Sequence, residues 1–142
     1  MSKLRAVTLF ASANRIASGA ITNSLSNTYA LQGVPFKRAI FLLDVTATNG
    51  NATDYLNAYI DVRGPGGTWL NAIHFTQVAG DGAAIKHYAA LDTANVAATT
   101  FDVTADCASG VTKPYLWGDA VRGRFSLVDT GDVTFSLTGL LY

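Results

Sequence analysis

Glutamate is absent from this chain, and glutamine occurs only at Gln32 and Gln77. Glu, Gln, Lys and Arg usually fill the solvent faces of helices, whereas Thr, Ser, Asn and Asp suit strands and turns. The deficit argues for an all-β protein. A single cysteine, Cys107, excludes an internal disulfide framework. Charge is scarce, at 14% of residues, and balanced, with ten Lys and Arg against ten acidic residues. Without a basic excess a protein cannot hold nucleic acid mainly by neutralising phosphates, so no nucleic-acid partner is expected. No apolar run approaches the ~20 residues of a membrane-spanning helix, so no membrane partner is expected. The apolar stretch 6–11 follows Lys3 and Arg5 but is short and interrupted by Thr8. It reads as a first strand rather than a signal peptide, in a chain folded in the cytoplasm.

Hydrophobic residues make up 49% of the 142 positions, enough for one domain spanning 1–142 with a proper core. Residues 39–46 read as a strand buried on both faces, closed by a turn at Asn49-Gly50. Tyr55 to Arg63 alternates, with Leu56, Ala58, Ile60 and Val62 on one side and Tyr55, Asn57, Tyr59 and Asp61 on the other. The turn Gly64-Pro65-Gly66-Gly67 leads into a returning strand over 69–78, and a further turn at 79–82 leads into 84–91. Residues 12–33 lack alternation and read as an extended arm. Residues 92–112 read as a long ordered excursion with a short strand at 100–104. In the last segment Val121, Gly123, Phe125 and Leu127 share one face, as do Val133, Phe135, Leu137 and Leu141. A hairpin pairing 127 with 135 around a Thr130-Gly131-Asp132 loop keeps them together and turns Arg122 and Arg124 outward. Eight or nine short strands in this arrangement imply an antiparallel β-sandwich, jelly-roll-like, carrying an extended N-terminal arm.

Chemistry-bearing residues are few. His74 and His87 lie symmetrically about the 80–81 turn and could face each other across a hairpin, but zinc requires further ligands that the neighbourhood lacks. Cys107 has no basic neighbour in sequence to activate its thiol, so pairing with His87 as a nucleophile is unsupported. The Asp102/Asp106 and Asp129/Asp132 pairs lack the spacing of a calcium loop and read as turn and edge carboxylates. No nucleophile-elbow, zinc-protease or phosphate-loop pattern occurs. The expectation is a protein that is not an enzyme, with no cofactor and no metal. Trp69, Trp117, Tyr55, Tyr59, Tyr88 and Tyr115 would form a sugar-stacking surface only if exposed together. That alternative is a carbohydrate-binding or host-adhesion module.

Several segments resemble a widespread group of small structural proteins of tailed bacteriophages. They are 8–18 (TLFASANRIAS), 41–47 (FLLDVTA), the glycine-rich turn before Thr68-Trp69, 93–98 (TANVAA) and 133–137 (VTFSL). The resemblance runs in order along nearly the whole chain. It implies a virion component on the capsid surface, of the decoration or cement type, with a tail or neck component as the other placement. The implied partners are the phage major capsid protein and further copies of the chain, most simply a trimer. The interface is expected at Arg15, Ile16, Ile21, Leu25 and Tyr29 of the arm, assisted by Arg122 and Arg124.

Overall fold

The fold is that of a computed structural model, which describes residues 4–17, 22–23, 27–30, 36–92, 94, 100, 102–128 and 131–142. Among these residues ten strands follow in chain order: β1 (Arg5–Ala17), β2 (Thr22–Asn23), β3 (Asn27–Ala30), β4 (Arg38–Gly50) and β5 (Tyr55–Arg63), then β6 (Trp69–His74), β7 (Val78–Ala79), β8 (Ile85–Asp92), β9 (Ala120–Leu127) and β10 (Gly131–Leu141). Among the described residues the one helical turn is Pro65–Gly67 between β5 and β6, where Gly66 and Gly67 take positive φ. The all-β class expected from composition, and the antiparallel sandwich expected from strand spacing, are therefore observed.

One sheet runs β1-β10-β4-β8 and the other β2-β9-β5-β6, with β3 also on β9 and β7 also on β5. The pairings are nested. The first strand pairs with the last, β2 and β3 pair with β9, β4 pairs with β8, and β5 pairs with β6 and β7. Additional ladders, β10 to β4 and β9 to β5, roll this long hairpin into two facing sheets, which is the jelly-roll arrangement.

This arrangement overturns the hairpin expected at the C-terminal end. β9 and β10 lie in opposite sheets, and Gly131 and Asp132 belong to β10, paired with Gly50 and Asn49. Alternation identifies the apolar face of each strand, and both faces do meet the core, but it does not say which sheet the strand joins. Phe125 and Phe135 accordingly meet across the sandwich, their rings 5.1 Å apart at 76°. The two sheets approach closely here: a Cβ on Gly123 would come within 2.9 Å of Phe10 and 3.0 Å of Leu9 and Leu137.

Other boundaries also shift. β4 buries Ala39, Phe41, Leu43 and Val45, whereas Ile40 and Leu42 are half-buried on the outer face, so only one of its faces is core. The strand continues through Gly50, and the turn falls at 51–54. There the Asp54 N–H donates to the Asn51 carbonyl at 3.0 Å, and the Asn51 N–H donates to Asp54 Oδ2 at 2.7 Å. The arm expected over 12–33 is in part sheet. β1 runs to Ala17 beside β10, and β2 and β3 pair with β9. Register shifts between Thr8 and Phe10 and between Phe10 and Ala13 break the period-two pattern, which hides the strand from a reading of alternation. Residues 18–21, 24–26 and 31–35 lie outside the described set, and with them Ile21 and Leu25.

The excursion after β8 folds back along β6. The His74 N–H donates to the Val111 carbonyl at 3.0 Å, the Gly110 N–H to His74 O at 2.9 Å, and the Lys113 N–H to Ala72 O at 2.8 Å. An edge strand is thereby covered. Instead of a strand at 100–104, the Asp102 side chain closes a turn by accepting from the Thr104 N–H at 2.8 Å and hydroxyl at 2.7 Å.

Candidate functional site

Register on the six-stranded sheet assembles a polar cluster on its outer face. Asp61 of β5 stands opposite Asn71 of β6 and Arg122 of β9, and Tyr59 stands opposite His74 and Arg124. Such cross-strand neighbours are close enough for their side chains to interact. Segment 103–107 lies over this face, so Asp61 is only 1% exposed. Its Oδ2 accepts from Arg122 Nε at 2.8 Å and Arg124 Nε at 2.7 Å. Its Oδ1 accepts from Asn71 Nδ2 at 2.9 Å and Arg124 Nη2 at 3.2 Å. Arg124 also forms a short ion pair with Asp106 of the covering segment. Burial works against the Arg124 charge, but the hydrogen bonds that Arg124 donates to Asp61 and Asp106 outweigh it and hold the pKa above the ordinary arginine value.

Aromatic rings complete the cluster. The Arg122 guanidinium lies 4.5 Å from the Trp69 ring centroid, and that of Arg124 lies 4.1 Å from Tyr59. Tyr59 in turn sits 4.4 Å from the His74 ring, and its phenol is pushed up chiefly by burial. His74 Nδ1 donates to the Cys107 carbonyl at 2.8 Å, and Nε2 faces the Asn57 side-chain amide at 2.9 Å. The Cys107 N–H donates to Asn71 Oδ1 at 2.8 Å. Between sheet and segment a cleft of about 410 Å³ remains, lined by Asp61, Trp69, Thr104, Asp106, Arg122 and Arg124 among others.

His74 and His87 do not face each other. His74 belongs to β6, while His87 lies in β8 of the other sheet opposite Leu43, because the chain changes sheets at the turn between them. Cys107 is therefore near His74 rather than His87, and through its carbonyl rather than its sulfur. Burial pushes the thiol pKa up, the reverse of what a nucleophile needs. In the folded protein Cys107 is expected to alkylate at least about tenfold more slowly with iodoacetamide at pH 8 than in urea, by mass spectrometry. Labelling at the unfolded rate would contradict its burial. Asp102 holds its turn, Asp106 pairs with Arg124, and Asp132 accepts from Asn14 and Asn49. Among the described residues no group of three His, Cys, Asp or Glu could hold a metal.

Of the expected interface residues, the structure brings Arg122 and Arg124 together. Both point away from the core as read from sequence, but they are engaged by Asp61. Arg15 is also engaged: it donates to the carbonyls of Ala11, Ala13 and Phe135 at 2.8–3.0 Å and lies 4.4 Å from the Phe135 ring centroid. Ile16 is 73% exposed, and Tyr29 lies on β3 opposite Val121. The aromatics are dispersed. Trp117 packs on the core, Tyr59 and Trp69 lie beneath guanidinium groups, and Tyr88 stands on the outer face of the other sheet. They form no common sugar-stacking platform. Sequence reasoning passed over Asp61, Asn71 and Asn57; the signal was an acidic residue in phase with Tyr59 on a strand whose other face is wholly apolar.

A carboxylate offers about four lone-pair sites, and Asp61 already accepts four hydrogen bonds, which leaves no capacity for a general base.

Fold and cleft together define a jelly-roll sandwich with a built polar groove on the outside of one sheet. Solved structures with a similar fold include those of infectious bursal disease virus. The structure of its Gx strain gives a TM-score of 0.50 at 9% identity, covering 98% of this chain and 31% of that one. The crystal structure of its VP2 subviral particle gives 0.50 at 13% identity, covering 98% and 32%. At these identities the likeness is one of fold, and the chain spans about a third of the length of those proteins. No protein-family model matches the sequence, and no curated protein matches it.

Proposed function

We propose that this protein is a non-enzymatic structural component of a virion, a small jelly roll that decorates or cements a capsid as a symmetric oligomer. The observation that carries the reading is the nested strand order, in a fold shared over 98% of the chain with proteins of infectious bursal disease virus. The in-order resemblance to bacteriophage structural proteins supports it independently. A further support is the outer face of the four-stranded sheet, where two whole rungs are uncharged: Ala6-Leu140-Ile40-Ala90 and Thr8-Thr138-Leu42-Tyr88. Interface cores are similarly depleted in Lys and Glu. The physics is mass action, since a protein that binds only the assembled shell stabilises that state as its sites fill.

The test is to add purified protein to capsids lacking it and image them by cryo-electron microscopy. Symmetric density and a raised capsid melting temperature are expected. Bare capsids at saturating protein would defeat the proposal. Because residues 12–17 belong to β1, the attachment role of that stretch is better tested by Ile16→Asp than by deletion. Ile16 is outside the core, so the variant should remain folded while occupancy falls.

A further inference from the structure

We propose that the cleft over the six-stranded sheet is a carboxylate-binding site, in which the Nη1–Nη2 edge of Arg122 grips the ligand end-on beside Trp69. The proposal is independent of the virion reading and would stand without it. The argument begins with which donors are already committed. Arg124 engages Asp61 and Asp106 through Nε, Nη1 and Nη2. Asn71 Nδ2 is directed at Asp61 and at the carbonyls of Ile60 and Ile73. Arg122, by contrast, donates to Asp61 through Nε alone. A guanidinium carries five N–H groups, so four remain on Nη1 and Nη2, two of them parallel on the terminal edge, and no residue with a described side chain accepts from them.

That edge is also pre-set. The Nε bond to Asp61 at 2.8 Å and the stacking on Trp69 at 4.5 Å fix the guanidinium plane at two points. Little side-chain freedom is then lost when a ligand arrives. The side chain remains 27% exposed and lines a cleft of about 410 Å³, within the range of small-ligand sites. Two parallel N–H donors match the two oxygens of a planar carboxylate.

Competing ligand chemistries fit less well. The Trp69 ring already carries Arg122 at 4.5 Å and Arg63 at 5.9 Å, so a neutral sugar would compete with guanidinium groups for the indole. Arg122 and Arg124 are balanced by Asp61 and Asp106, so a dianion such as sulfate is opposed more strongly than a monoanion. A monovalent carboxylate, held by directed hydrogen bonds, remains. It could come from an acidic side chain of a protein partner or from a sugar acid.

The experiment titrates N-acetylglutamate amide and glucuronate separately into the full chain and follows the indole N–H resonance of Trp69, assigned with Trp69→Phe. A saturable shift is expected with at least one acid and none with the isosteric N-acetylglutamine amide, while Trp117 stays unmoved. Arg122→Gln should abolish the shift, and Arg122→Lys, which keeps the charge but lacks the fork, should weaken binding about tenfold. The lysine variant also carries the test if the glutamine variant does not fold. Whichever acid binds more tightly identifies the source. The proposal is overturned by no shift with either acid up to about 50 mM, by an equal shift with the glutamine analogue, or by wild-type affinity in the folded Arg122 variants.

Discussion

Replacing Asp61 with alanine is expected to destabilise the protein by about 3–5 kcal/mol, the usual cost of removing one partner from a buried ion pair. Asp61 is 1% exposed and is the shared acceptor of two guanidinium groups and of Asn71. Without it Arg122 and Arg124 face one another with only Asp106 to balance them. The urea midpoint should fall with an unchanged slope. Asp61→Asn should lose nearly as much, since a neutral amide removes the charge and can oppose donors to donors. A second variant separates lost charge pairing from lost shape. Buried ionic clusters replaced by apolar residues of similar volume are often neutral or stabilising. The triple replacement Asp61→Leu, Arg122→Met, Arg124→Met should therefore recover most of the loss. A single Asp61→Ala change costing under about 1 kcal/mol would show that the cluster is solvated rather than buried.

Phe135→Ala is expected to cost about 3–5 kcal/mol, the range for truncating a buried phenylalanine. Phe135 is fully buried, edge-on to Phe125 at 5.1 Å and to Phe10 at 6.2 Å. It also carries the Arg15 guanidinium at 4.4 Å, a contact worth up to about 2 kcal/mol where desolvated. Domains are stable by only about 5–15 kcal/mol, so the variant should be marginal at 37 °C. Tyr88→Ala is the matching control: Tyr88 is 72% exposed on the opposite face, and its loss should stay within about 0.5 kcal/mol. Equal midpoints for the two variants would remove Phe135 from the centre of the core.

Much of the fold was legible because one face of each sheet is core and the other is not. The apolar sides of β5 and β9 and the hairpin through Pro65–Gly67 follow from alternation and turn chemistry, which act within a dozen residues. What failed is set over long distances. Nothing local distinguishes a β10 that pairs back on β9 from one that crosses to β1, because both place Val133, Phe135 and Leu137 in the core. His74 and His87 separated for the same reason. The strand at 12–17 was hidden by irregularities in β1, where Arg15 packs on aromatic rings instead of pointing to water. The cluster could be read only in halves. Arg122 and Arg124 announced an outward face, but the carboxylate holding them lies sixty-one and sixty-three residues earlier on another strand.

The nested pairing also governs the order in which the molecule can form. β10 sits between β1 and β4, with Arg5 opposite Leu141 and Leu140 opposite Ile40. Until β10 emerges from the ribosome, β1 has no ladder partner and β4 has only β8, so the four-stranded sheet exists as two separated pieces. Pairing β10 with β1 closes the widest loop and makes the most distant strand contacts among the described residues. Contacts so remote in sequence make folding slow and leave apolar strands uncovered while it proceeds. Synthesis of the eleven residues of β10 is therefore needed to complete the four-stranded sheet, and a ribosome stalled before β10 would hold a chain with one face of its core open.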